Sequence, residues 1–119
     1  KMEENVWSDS EIFSLLNENY IIISLYIDDG KELSQESQFN YQYPDGRIKV
    51  INTVGKKWAT FQAINFKTAS QPYYVQMMPD GKILNSAIQY TDIPTFKAWL
   101  KKGLKNSKKE PPKAKYLTF

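Results

Sequence analysis

The stretch "SQPYYVQMMPDGKI", Ser70 to Ile83, decides how the rest of the chain is read. Tyr73–Met78 is aromatic, β-branched and apolar, which is the composition of a strand. Pro79-Asp80-Gly81 is a turn signal, and "KILNSAIQY" after it supplies a returning arm, so the spacing predicts a β-hairpin. Both arms are good strand sequences, which makes this the stronger of two hairpin signals. Pro72 cannot donate a ladder hydrogen bond, so it stands at a strand's first residue, on an edge or in a special turn. A trans strand-entry proline and a cis-proline both satisfy that condition, and the stretch alone leaves them open.

Outward from the hairpin, the elements alternate. Asp92 is placed to cap a closing helix, with Pro94 tolerated in its first turn and Phe96, Trp99, Leu100 and Leu104 on one face. Upstream, Val54, Trp58, Phe61 and Phe66 mark a helix of about three turns. "YPDGR" predicts a turn at Pro44-Asp45-Gly46 between short strands Phe39–Tyr43 and Arg47–Ile51. "YIIISLYI", Tyr20 to Ile27, is almost continuously apolar, as expected of a strand covered on both faces. Before it, Ser8 and Glu11 form a capping-box pattern ahead of Ile12, Phe13, Leu15 and Leu16, with Asn17–Asn19 ending the helix. Met2, Glu3 and Val6 read as the end of a further helix, and Trp7 and Trp58 as core. The expected class is α/β, a mixed sheet flanked by helices.

Composition narrows the chemistry. The 119 residues with 41% hydrophobic content suit one domain with one core. No run reaches the length of a membrane-spanning helix. Cysteine and histidine are both absent, which removes disulfides, thiolate nucleophiles, Cys/His metal sites and histidine acid–base pairs. The net charge of +3 arises from residues 101–119, where seven lysines and one acid give +6; the first hundred residues, with nine basic and twelve acidic groups, give −3. Basic character therefore belongs to the tail, read as residues 106–119, with Tyr116, Leu117 and Phe119 as docking residues.

Three other constellations have plain structural readings. Asp28-Asp29 ends a strand where α/β folds hold metal ions, yet one carboxylate pair beside Gly30 is better read as a turn. The lysine tail lacks arginines and interleaved aromatics, so a solvated end is preferred to a nucleic-acid site. Tyr41, Tyr43, Tyr73 and Tyr74 read as cross-strand packing rather than a stacking platform. No metal, cofactor or nucleic acid is expected.

"KMEENVW" (Lys1–Trp7) resembles the segment that follows the active-site cysteines in thioredoxin-like domains of the thiol:disulfide interchange type. Met2, Glu3, Val6 and Trp7 carry the match. "QPYYVQMMPDGKIL" resembles the cis-proline strand and hairpin of those domains, and "GKKWATFQAINFKTASQPYYV" is similar to the helix and loop leading to it in DsbD-type domains linked to cytochrome c biogenesis. The resemblance covers residues 1–105, with 31–51 as a polar insertion. It implies a thioredoxin-like fold, an exported or periplasmic bacterial location and a parent open to membrane attachment. It also implies that Ser70, Gln71 and Pro72 form a groove for an extended segment of a partner, either a disulfide-bearing substrate or a redox partner. No residue of this chain is expected to be catalytic, because the Cys-x-x-Cys motif of the family would lie just before Lys1. The strand leading into that motif is missing with it. In the family it lies between the counterparts of Tyr20–Ile27 and Tyr73–Met78. A chain opening at Lys1 in mid-motif reads as a piece cut from something longer. The slot is open to an upstream segment, to the tail or an arm of the insertion, or to strand exchange with a second copy. A redox-inactive, protein-binding thioredoxin-like module is the alternative.

Overall fold

Asp9, rather than Ser8, starts the first long helix. Its carboxylate accepts the Ile12 N–H at 3.2 Å, while Ser8 Oγ turns back to donate to the Glu4 carbonyl at 2.7 Å. The capping box does not form, because Glu11 is drawn outward to Lys97 and Lys101, each 3.0 Å away. The computed structural model describes residues 2–108 and Leu117. Among them are four α-helices: α1 (Met2–Asn5), α2 (Ser10–Asn19), α3 (Val54–Phe66) and α4 (Ile93–Ser107). They accompany one two-stranded antiparallel sheet of β1 (Phe39–Gln42) and β2 (Ile48–Ile51), so the chain is mixed α/β. The described residues divide into two compact units, residues 2–23 with 70–108 and Leu117, and residues 24–69.

The core of the first unit is built by α1, α2 and α4. Met2, Val6, Ile12, Phe96, Trp99 and Leu100 are buried together, with Trp7, Tyr20, Tyr74 and Ile88 packed around them. Trp7, Tyr74 and Phe96 meet at ring-centroid separations of 5.8–6.4 Å, near the upper end of favourable aromatic geometry. Phe13, expected on the apolar face of α2, is instead exposed. The helix also runs through the three residues expected to end it and stops at Asn19. α4 follows its sequence closely: Asp92 accepts the Thr95 N–H at 2.9 Å and Pro94 sits in the first turn.

In the second unit the 39–51 hairpin forms with Phe39 opposite Ile51 and Gln42 opposite Ile48. Gly46, at φ 95°, closes its turn by donating to the Tyr43 carbonyl at 2.9 Å. Lys31–Leu33 runs beside Asn52–Val54 through a Glu32–Thr53 bridge, which leads the chain into α3. The expected apolar face of α3 is only half-buried; its fully buried positions are Gly55, Thr60, Gln62 and Asn65. Gly55 is required there, because a Cβ would stand 2.5 Å from the Ile27 carbonyl oxygen.

Two strand expectations need correction. The hairpin at 73–88, expected to be the better of the two, is held by isolated bridges, Tyr74–Ile88 and Met77–Ile83. Between the Leu84-to-Gln76 bond and the Tyr74–Ile88 bridge, one residue of the first arm (Val75) faces three of the second (Asn85–Ala87). That bulge interrupts the ladder. Tyr20, at φ −130° and ψ 150°, leaves α2 in extended conformation, but among the described residues Tyr20–Ile27 joins no ladder, and the chain turns at Ile27–Asp28. Among the described residues, Ile21–Asp28 make no backbone hydrogen bond. Instead of being covered on both faces, Ile21, Ile22, Ile23, Leu25 and Tyr26 are exposed.

Candidate functional site at the Tyr73–Met78 arm

Ser70, Gln71 and Pro72 form the entry to the arm, with Ser70 half-buried and Gln71 and Pro72 exposed. The Gln71–Pro72 peptide is cis. Beyond it, backbone hydrogen bonding alternates as period two requires. Tyr74, Gln76 and Met78 turn their backbone groups to the returning arm: Tyr74 exchanges both bonds with Ile88 at 2.8 and 3.1 Å, the Gln76 carbonyl accepts Leu84 N–H at 3.0 Å, and Met78 N–H reaches Lys82 at 2.8 Å. Val75 and Met77 aim their N–H and C=O the other way, and among the described residues they have no backbone partner. The arm thus has one paired edge and one open edge.

A polar network, not foreseen from the sequence, holds the arm over α4. Gln76, buried in the middle of an apolar run, donates from Nε2 to Tyr20 Oη at 2.6 Å, and Tyr20 Oη donates to the Leu100 carbonyl at 2.7 Å. Asn85 Nδ2 lies 3.3 Å from Gln76 Oε1 and 3.2 Å from the Trp99 carbonyl. Trp99 Nε1 donates to the Ser86 carbonyl at 2.6 Å, which draws the bulge onto the helix. Gly103 lies beneath Gln76, where a Cβ would collide with the amide. Burial pushes the Tyr20 phenol above its ordinary range, opposed in part by the Gln76 hydrogen bond, so it stays a donor at neutral pH. The one sequence signal for this network was Gln76 itself, a polar residue between Val75 and Met77. Tyr20 and Gln76 meet through side chains, with no ladder bond between their backbones.

The other candidates resolve into structure. Asp29 accepts the Lys31 N–H on its side chain at 2.9 Å and the Gly55 N–H on its carbonyl at 2.8 Å, a turn rather than a metal cradle. Among the described residues no group of three acidic side chains converges on a metal position. Tyr41 packs edge-on to Tyr43 at 5.2 Å, Arg47 lies 4.7 Å over the Tyr43 ring, and Tyr74 is part of the apolar cluster. A cleft of about 510 Å³ lies between Asn5–Val6 and Tyr90–Pro94. Its only acid, Asp92, is committed to capping α4, so it holds no acid–base pair. Tyr116, Phe119 and most tail lysines lie outside the described residues; Leu117 donates to the Gly81 carbonyl at 3.1 Å. No helix among the described residues is long and apolar enough to cross a membrane.

No protein-family model matches the chain, and neither does any curated protein.

Proposed function

We propose that this chain is the cysteine-free part of a thioredoxin-like domain from an exported bacterial thiol:disulfide interchange protein. In the parent, a Cys-x-x-Cys pair supplies the exchange chemistry, reducing protein disulfides or supporting cytochrome c maturation. The 119 residues alone perform no exchange, because the reaction needs a thiolate and the sequence contains no cysteine. Ser70, Gln71 and Pro72 receive an extended segment of the partner beside the open edge of the arm. No cofactor is needed.

One observation carries the reading. Among the described residues Val75 and Met77 present an unpaired edge, Ile21–Ile23 makes no backbone hydrogen bond, and Tyr20 and Gln76 touch only through side chains. Neighbouring strands would exchange ladder bonds; strands separated by one position would not. The resemblance puts the strand that leads into the cysteine pair at that position. The exposed entry at Gln71 and Pro72 agrees with a groove open to a partner.

The complete lack of cysteine favours a second reading, a redox-inactive module that only binds an extended partner. The residues encoded immediately before Lys1 separate the two. Cys-x-x-Cys within about a dozen positions supports the oxidoreductase, and a parent without it leaves the binding module.

A further inference from the structure

We propose that the exposed face of α4 carrying Lys101, Lys102, Lys105 and Lys108 is an electrostatic docking surface for a lipid bilayer rich in anionic phospholipid. This does not rest on the proposed function.

The first ground is placement. α4 buries Phe96, Trp99, Leu100 and Gly103, and the four lysines are exposed. At about 100° per residue, Lys101, Lys105 and Lys108 lie within roughly 60° of arc, with Lys102 about 60° beyond, along about 10 Å of helix. The second ground is that this charge is not neutralised from within. Lys101 shares Glu11 with Lys97, at 3.0 Å each. Among the described residues, no carboxylate forms an ion pair with Lys102, Lys105 or Lys108. The helix dipole favours cations only near the last turn, which accounts for Lys105 and Lys108 but not for Lys102. Like charges three and four residues apart repel, so the row disfavours the helix unless an anionic surface meets it. Nor is the chain basic throughout: residues 1–100 hold twelve acids against nine bases. Beyond the helix the sequence adds Lys109, Lys113 and Lys115 against Glu110 alone.

The composition of the face selects the partner. Protein interfaces are depleted of lysine and anchored by aromatic residues or arginine. Nucleic acids are gripped by arginine forks and stacking rings. The exposed side of α4 offers neither: besides lysine it shows Pro94, Thr95 and Ala98. The chain's one arginine, Arg47, lies over the Tyr43 ring in the other unit. Lysine is a point charge on a flexible stem that needs no fixed partner geometry, which suits the diffuse potential of an anionic leaflet. With no large apolar residue to insert, the face lies on the bilayer and leaves it as salt rises.

Co-sedimentation of the 119-residue chain with phosphatidylcholine vesicles, with and without about 30% phosphatidylglycerol, tests the proposal. Binding is expected only to the anionic vesicles, and raising salt from about 0.02 to about 0.5 M should release it. Each lysine near such a surface contributes about fivefold, so Lys102→Gln, Lys105→Gln and Lys108→Gln together should weaken binding at least about tenfold. The same charge change at Lys31, Lys56 and Lys67, exposed in the other unit, should weaken it less than about threefold. Acetylation footprinting of the unsubstituted chain should show Lys102, Lys105 and Lys108 shielded by the vesicles, and Lys31, Lys56 and Lys67 unchanged. That readout decides the matter even if a variant misfolds. No binding at low salt, binding that survives high salt, equal response to both triple variants, or acetylation on α4 indifferent to vesicles would each overturn the proposal. So would tighter binding to a DNA duplex of about 20 base pairs, which would assign the face to nucleic acid.

Discussion

Gly103 and Gly55 both sit inside helices, where replacing glycine by alanine ordinarily gains about 1 kcal/mol. Here both replacements should lose stability. A Cβ on Gly103 would stand 2.5 Å from Gln76 Cδ and 2.6 Å from its Oε1, displacing an amide held by Tyr20 and Asn85. Gly103→Ala should cost about 1–2 kcal/mol in urea unfolding, and Gln76→Ala in the same chain should relieve part of that loss. Gly55→Ala meets backbone atoms of Ile27 and Asp29, which no rotamer change can move aside. Its loss should be the larger, about 2–3 kcal/mol. Tyr20→Phe removes the hydroxyl between Gln76 and Leu100 and should cost about 1–2 kcal/mol, since the buried Gln76 Nε2 keeps only its 3.5 Å contact with the Leu100 carbonyl. The folded-state pKa of Tyr20 is raised above its ordinary 10.0, so the folded protein holds the proton more tightly. That contribution is complete below about pH 10 and is lost as pH rises through the folded value, so Tyr20→Phe should flatten the alkaline limb of the stability profile.

Among the elements, α4 obeys its sequence most closely, and its cap gives the cleanest test. Asp92→Ala should lower the midpoint of thermal and of urea unfolding, since the Thr95 N–H loses its acceptor. The Thr95 hydrogen bonds hold the Asp92 carboxyl below its ordinary 3.8, and Lys101 and Lys97 hold Glu11 below 4.5. Both contributions are present above those ordinary values and are lost as pH falls through the lower folded ones. Asp92→Asn, which keeps an acceptor but cannot titrate, should weaken the acid dependence below about pH 4. α3, α4 and the 39–51 hairpin were legible because capping residues, apolar spacing and turn glycines act within a few positions of the chain. The second hairpin was legible in composition but not in pairing: its bulge depends on Ser86 reaching Trp99, a contact between residues 13 apart. That Tyr20–Tyr26 is not helical was also legible. The exposure of Ile21–Ile23, Leu25 and Tyr26 was not, because composition reports what a strand prefers to contact and not whether that contact exists. At the candidate site, the place of Pro72 at the entry to the Tyr73–Met78 arm could be read from the sequence, whereas the Tyr20–Gln76–Leu100 network required the tertiary placement of α4.

At the scale of the whole molecule, the open edges dominate. Exposed apolar surface without a partner is unusual in a stable monomer, and here it coincides, among the described residues, with backbone that has no partner at Ile21–Ile23 and at Val75 and Met77. If the parent supplies a strand that pairs with Ile21–Ile23, an extended parent chain carrying it should show a raised urea midpoint. The most direct measurement of the functional proposal is the reduction of insulin disulfides by that extended parent chain, with dithiothreitol as the electron donor. Turnover well above the uncatalysed rate is predicted for the parent, and none for the 119 residues alone. A parent that lacks Cys-x-x-Cys, or that carries it and still reacts no faster than dithiothreitol alone, would contradict the assignment.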